Sequence, residues 1–399
     1  MVGRSLAWRS VSGASVLLLS LSAVTVGTAA ASGAGKVTTY TGNGINRPSR
    51  ITAGPDGALW FTNGGNSTIG RVTTTGKVTN YTDSSIHSPG AIATGPDGAL
   101  WFLNIQSSIG RITTGGTVTT FPDPTITASF GLAAGPDGAL WFTTFGGNSI
   151  GRITTSGKIK HFSDATIFRP TAITAGPDGA LWFTNGGNDS IGRITTTGTI
   201  TNFTDPTMSR PSGIVTGPDG ALWFTNHDNA SIGRITTTGT VTNFAGPDVK
   251  TPIGIVVGPD GALWFTDGSH SIGRMTTSGT VTRYTDAAIN GPGGIALGPD
   301  GALWFPNFNE SSVGRITTTV TPQIARFTPT AGAAGTSVTI TGKNLSGATQ
   351  VTFNGSPASV VSESATRIVT TGPAGATTGR ITVTVPAGTA TGKATFTVT

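Results

Sequence analysis

Gly54-Pro-Asp-Gly-Ala-Leu-Trp-Phe61 decides the fold, because these eight residues recur seven times along the chain without a change. The tryptophans fall at Trp60, Trp101, Trp141, Trp182, Trp223, Trp264 and Trp304, spaced by 40 or 41 residues. A fixed period near forty with one aromatic anchor per copy marks a repeat architecture and suits one four-stranded blade of a β-propeller. In the fourth copy Pro170-Thr-Ala-Ile-Thr-Ala175 leads into the turn Gly176-Pro-Asp-Gly179 and then Ala180-Leu-Trp-Phe-Thr184. A polar loop, Asn185–Ser190, separates these from Ile191-Gly-Arg-Ile-Thr195 and Thr199-Ile-Thr-Asn-Phe-Thr204. Short runs of Ile, Val, Thr and aromatics between Gly, Pro and Asn read as four strands of a meander.

The two ends of the repeat carry the topology. Lys36-Val-Thr-Thr-Tyr-Thr41 matches the last strand of a copy, yet no copy precedes it, and the seventh copy stops at Thr318 without that strand. The N-terminal strand is therefore expected to complete the seventh blade and close the ring, which leaves only short, protected edges. From Thr321 the period ends and short alternating runs follow, including Gly335-Thr-Ser-Val-Thr-Ile-Thr-Gly342 and Ile381-Thr-Val-Thr-Val-Pro386. These fit a small immunoglobulin-type sandwich without the cysteine pair of antibody domains. The expected fold class is all-β: a seven-bladed β-propeller over residues 32–318, closed by an N-terminal strand, and an immunoglobulin-like β-sandwich over 319–399.

Residues 1–31 read as a cleaved secretory leader. Arg4 and Arg9 precede an apolar run from Val16 to Val26, and the small residues Ala29–Ala31 follow. That run is too short to span a bilayer comfortably, and no other segment qualifies, so a secreted, extracellular monomer without a transmembrane segment is expected. The chain has no cysteine, so its stability must come from packing and ring closure rather than disulfides. Loss of Arg4 and Arg9 lowers the formal net charge from +6 to +4. With charged residues at only 11% and no Lys/Arg cluster, there is no electrostatic footprint for nucleic acid.

Copies built as Gly-Pro-Asp-Gly-Ala-Leu-Trp-Phe-Thr followed by Ile-Gly-Arg-Ile-Thr resemble the streptogramin B lyase (virginiamycin B lyase) family of seven-bladed propellers, over residues 36–318. The C-terminal stretch is similar to IPT/TIG domains at Phe327–Gly332, Gly335–Gly342 and Phe353–Gly355. The first resemblance implies Mg²⁺-assisted elimination at the ester of a cyclic depsipeptide. It also implies a histidine directly after the proline that opens an inner strand, a glutamate before that proline, and a glutamate after the tryptophan strand. The histidine positions here are Ser49, Gly90, Phe130, Thr171, Ser212, Ile253 and Gly293; none is histidine. Before the proline stand Arg47, Ser88, Ala128, Arg169, Arg210, Thr251 and Gly291. After the tryptophan strand stand Asn63, Asn104, Thr144, Asn185, Asn226, Asp267 and Asn307. Only two glutamates exist in the chain, Glu310 and Glu363, and the second is outside the propeller.

A feature present in every copy belongs to the fold, since an active site is needed once. The Pro-Asp-Gly aspartates then read as turn formers, the Ile/Val-Gly-Arg arginines as framework donors, and the tryptophans as packing between blades. Variation collects in the loop after the tryptophan strand and in the connection entering the inner strand, which share one face of the disc. Loops on a rigid scaffold are the usual seat of function. His227, Asp228, Asp267 and His270 lie there on neighbouring blades and form the candidate catalytic set; imidazole with carboxylate can hold a divalent metal or act as a base with an orienting partner. The bland reading, solvated loop residues, applies to all four, and no metal-ligand spacing is met. His87 and His161 lie apart, with no chemical role expected. Arg47, Arg169 and Arg210 ring the mouth and would favour an anionic or hydroxyl-rich ligand. Asn63, Asn185 and Asn226 offer hydrogen bonds suited to sugars, and Phe145 and Phe308 offer stacking faces. Two functions stay open. One is a non-catalytic scaffold binding a small molecule or extracellular glycan; the other is a divergent lyase, for which alone Mg²⁺ is a cofactor.

Overall fold

The Pro-Asp-Gly turn, the polar loop after the tryptophan strand and, in the first six copies, a glycine turn after the third strand fold the chain back on itself. In the fourth copy the strands are Pro170–Ala175, Leu181–Asn185, Ser190–Ile194 and Ile200–Thr204, hydrogen-bonded antiparallel in chain order. The computed structural model describes residues 35–399 apart from 43, 269, 319–321, 346, 365 and 386–387. The expected leader at 1–31 and the 319–321 linker lie outside the described residues. The copies give seven four-stranded sheets, and the described residues contain no helix. The seventh sheet takes its outer strand from Val37–Tyr40, which pairs antiparallel with Ser312–Ile316, Val37 opposite Ile316 and Tyr40 opposite Val313. The expected closure is therefore observed.

Each junction between sheets is the same small core. Trp182 packs with Leu222 and Phe224 of the next sheet, Trp223 with Leu263 and Phe265, and Trp264 with Leu303 and Phe305. Trp304 of the last sheet packs with Leu59 and Phe61 of the first. All seven tryptophans are buried. Six of the seven indoles stack on a ring of the same sheet's fourth strand, and Trp304 stacks on Tyr40 of the closing strand, with centroids 5.1–5.3 Å apart. On the opposite face each Phe ring covers the glycine of Ile-Gly-Arg. A Cβ at Gly192 would fall inside the Phe183 ring, which explains the invariant glycine beside the arginine.

The repeated Asp, Trp and Arg form one device. Asp178 Oδ1 accepts from the Trp182 indole at 3.0 Å, and Oδ2 accepts from Arg193 Nε at 2.6 Å. The other six copies repeat the pair, with Arg–Asp distances of 2.5–2.7 Å. The aspartate thus ties its own turn to the second and third strands of its sheet, as expected of a framework residue.

The C-terminal region forms two sheets. One orders Gln323–Thr328, Ser337–Lys343, Arg367–Thr371 and Val360–Glu363. The other contains Ala331–Gly332, Gly388–Val398, Gly379–Val385, Gln350–Phe353 and Ser356–Ala358. Alternate residues face inward, so Phe327, Val338, Ile340, Val351, Phe353, Ile368, Ile381, Val383 and Phe396 make the buried core.

Candidate functional site

The first strands of all seven sheets surround a central channel of about 470 Å³. Three residues after the entry proline, or after Ser129 in its place, Ile51, Ile92, Leu132, Ile173, Ile214, Ile255 and Ile295 give it an aliphatic ring. At one end lie the two variable segments. Backbone bonds bring them together: Gly186 N–H donates to the Arg169 carbonyl at 3.1 Å and His227 N–H to the Arg210 carbonyl at 3.3 Å. The shared face expected from strand alternation is thus built.

The residue before the inner-strand proline is left-handed in most sheets. Arg47, Ser88, Ala128, Arg169 and Arg210 have φ between 43° and 49°, a costly region for a residue with a Cβ. The preceding sheet holds it there. Arg169 N–H donates to Asn148 Oδ1 at 2.8 Å, Arg210 N–H to Asp189 Oδ1 at 2.6 Å, and Arg47 N–H to Ser311 Oγ at 3.2 Å.

The three rim arginines are exposed, and each has a partner. Arg47 lies over Phe308, 4.7 Å from the ring centroid, and Arg169 over Phe145 and Phe168 at 5.5 and 5.7 Å. Phe145 and Phe308 therefore support cations within the protein itself. Arg210 Nη1 stands 3.4 Å from Asp228 Oδ1, and His227 Nδ1 donates to the same oxygen at 2.7 Å. The His227 bond, reinforced by the Arg210 charge, holds the Asp228 carboxyl below the usual range. A cavity of about 320 Å³ at this mouth is lined by Phe145, Arg169, Thr171, Arg210, Ser212 and His227, and it shares Phe145, Thr171, Arg210 and Ser212 with the channel wall.

The expected four-residue cluster does not assemble. His227 lines the mouth and Asp228 pairs with it and with Arg210, but Asp267 has no exposed surface. Its Oδ1 accepts the backbone N–H groups of Lys250 and Thr251 at 2.9 and 2.7 Å, and its Oδ2 faces Arg283 at 3.7 Å. His270 Nδ1 donates to the Ile289 carbonyl at 2.9 Å, which links it to the entry connection of the seventh sheet. Asn63, Asn185 and Asn226 are corrected likewise: all three are fully buried and cannot reach a ligand. Asn185 Oδ1 accepts the Phe168 N–H, while Nδ2 donates to Ser190 and Asn202. These positions close the entry connection onto the sheet. Asp267 is the same position with a charge added, matched by Arg283 where other sheets carry Asn80, Asn202 or Asn243. His161 replaces that asparagine in the third sheet and bonds Asp123 at 2.6 Å, again as framework.

One residue escaped the sequence reading. Two residues after the entry proline, or after Ser129 in its place, six sheets have Ala91, Gly131, Ala172, Gly213, Gly254 and Gly294, whereas the first has Arg50. The signal was its singularity among small residues.

The match to known proteins follows this geometry. A family model described as the virginiamycin B lyase family matches residues 21–167 and 163–344, most of the chain. The chain belongs to the virginiamycin B lyase family. The IPT/TIG domain model matches residues 322–398. Among solved structures, a streptogramin B lyase is 32% identical, covering 71% of this chain and 97% of its own, with a TM-score of 0.66. Virginiamycin B lyase from Staphylococcus aureus is 36% identical over 71% of this chain and 99% of its own, also at TM-score 0.66. A catalytically inactive variant of the S. aureus enzyme with quinupristin is 35% identical at the same coverage and TM-score. No curated protein matches.

Within this virginiamycin B lyase fold the donor set does not suit Mg²⁺. Among the described residues no three of His, Cys, Asp or Glu approach one another closely enough to hold a metal ion. Hard cations need several free oxygens, yet Asp228 is held by His227 and Arg210, and Asp267 by Arg283 and two backbone N–H groups. Glu310 accepts a bond from Asn290 Nδ2 at 2.5 Å. The cations Arg169 and Arg210 at the mouth would repel the ion.

Proposed function

We propose that this chain is a secreted binding member of the virginiamycin B lyase family, which captures an extracellular small molecule or glycan at the axial mouth without opening it. The observation that carries this reading is the mouth itself: a cavity lined by Arg169, Arg210, His227, Phe145 and hydroxyls, with no carboxylate among its described lining residues and the neighbouring Asp228 already paired with Arg210. Guanidinium groups over aromatic faces favour ligands with acidic or hydroxyl groups. Elimination would require a base, a Lewis acid and a free oxygen set; the positions implied for them hold no histidine or glutamate, and the one acid among them, Asp267, is fully buried and bonded. The C-terminal domain serves as spacer or anchor.

One observation favours a second reading. His227, oriented by Asp228 at the edge of the same cavity, has the form of a base with its orienting partner. A streptogramin B lyase using it would open its substrate's ring. Mass spectrometry of streptogramin B incubated with the mature protein, with and without Mg²⁺, tests both. No ring opening at high protein concentration, with binding weakened about tenfold by Arg169→Ala, is expected. Metal-dependent opening abolished by His227→Ala would replace the binding reading with the lyase.

A further inference from the structure

The channel beneath the mouth contains a charge that the fold does not need. Six sheets present Gly or Ala at the second position after the entry proline or Ser129, and the seven aliphatic side chains beside them form an apolar wall. At that position Arg50 alone has a long side chain, while Arg210, Phe130 and Phe145 reach the channel from other positions. Its Cδ passes so near Gly294 that a Cβ added at that glycine would lie 3.3 Å away. The guanidinium donates to the carbonyl of its own neighbour, Ser49, at 3.2 Å, and no carboxylate lines the channel. Burial among these walls pulls its pKa below the usual arginine value. Arg50 is half-buried, and a cation partly withdrawn from water without an anion is costly, while neutral replacements stand at the same position in six sister sheets.

We infer that the central channel is a binding site for an apolar organic carboxylate, whose acid group pairs with Arg50 while its hydrocarbon body lies on the aliphatic ring. The planar fork of guanidinium matches a carboxylate in two parallel hydrogen bonds, and desolvated walls strengthen that pair. The cavity of about 470 Å³ lies in the range of small-molecule sites and opens to the mouth through Thr171, Arg210 and Ser212. This inference rests on the reading of the mouth as an entrance for ligand. It differs from that reading in placing the charge recognition inside the channel rather than on the rim.

Decanoate is a suitable probe, with methyl decanoate as its uncharged counterpart, each titrated calorimetrically into the full mature chain. Arg50→Ala is a safe variant because sheets two and four carry alanine there. Wild type should bind decanoate at least tenfold more tightly than the methyl ester, and Arg50→Ala should remove that preference while leaving ester binding unchanged. The melting temperature of Arg50→Ala without ligand should equal or exceed that of wild type, since a purely structural arginine would lower it on removal. Absence of decanoate binding, or a preference that survives Arg50→Ala, overturns the inference. Arg169→Ala separates the two sites: weakened streptogramin B binding with decanoate binding kept supports both readings, unchanged streptogramin B binding counts against the mouth alone, and loss of decanoate binding puts the carboxylate on the rim and overturns the inference.

Discussion

Asp267 and Arg283 show how a single position changes character without changing its task. In sheets one, four and five an asparagine amide donates to an asparagine carbonyl on the outer strand, as Asn185 does to Asn202 at 3.2 Å. In sheet six both partners are replaced together and the amide pair becomes an ion pair. Removing one charge alone leaves the other poorly matched beside a buried site. Asp267→Asn should therefore lower unfolding free energy by about 1–3 kcal/mol, the scale of leaving a buried polar group unmatched. Adding Arg283→Asn should recover most of it by restoring the pair of the sister sheets. Urea denaturation of the single and double variants measures the coupling, and simple additivity would show that the two residues act independently.

At the scale of the element, the tryptophan strand and the sheet that follows it form one unit of stability. Trp182 is fully buried, stacks on Phe203 at 5.3 Å, and packs with Leu222 and Phe224. Trp182→Ala should cost about 3–5 kcal/mol, the usual range for emptying a large aromatic site. The closing strand has a distinct role. Val37–Tyr40 covers Ser312–Ile316, and Tyr40 covers Trp304 at 5.2 Å. Removing residues 37–40 exposes an unpaired strand edge and an indole together, a template for edge-to-edge association. The truncated chain should melt at lower temperature and aggregate, as read by calorimetry and light scattering; unchanged melting would mean that the ring holds without closure.

For the whole molecule, repetition multiplies small electrostatic effects. Burial pushes the carboxyls of Asp56, Asp97, Asp137, Asp178 and Asp219 up, but the bonds from tryptophan and arginine outweigh it and hold all five below the usual range. A depressed native pKa stabilises the fold above the unfolded value, about 3.9 for aspartate, and that stability is lost as pH falls through the native values. Chemical denaturation should give a nearly flat stability from pH 7 to about pH 5 in this respect and a steep fall below pH 4. A fall centred near pH 6 would point to histidine instead. The other whole-molecule property is the mouth, where sheets three, four and five contribute Phe145, Arg169, Thr171, Arg210, Ser212 and His227 to one cavity.

The sequence by itself determined the architecture. Seven identical Gly-Pro-Asp-Gly-Ala-Leu-Trp-Phe segments leave one way to bury seven indoles, and the unmatched Lys36–Thr41 run leaves one place for the last strand. It also separated framework aspartates and arginines from candidate site residues, because repetition is visible in one dimension. Only the tertiary structure decided which variable residues meet. Asn63, Asn185, Asn226 and Asp267 look like loop residues in the chain, yet each ends a strand and turns its side chain inward to bond the entry connection, so it has no exposed surface. His227 and His270 occupy corresponding loops, but one borders the mouth and the other bonds a neighbouring carbonyl. Arg50 was hidden for the opposite reason. Aligning the copies shows it alone among small residues, but only the fold, by bringing seven strands from distant parts of the chain around one axis, places it in the channel.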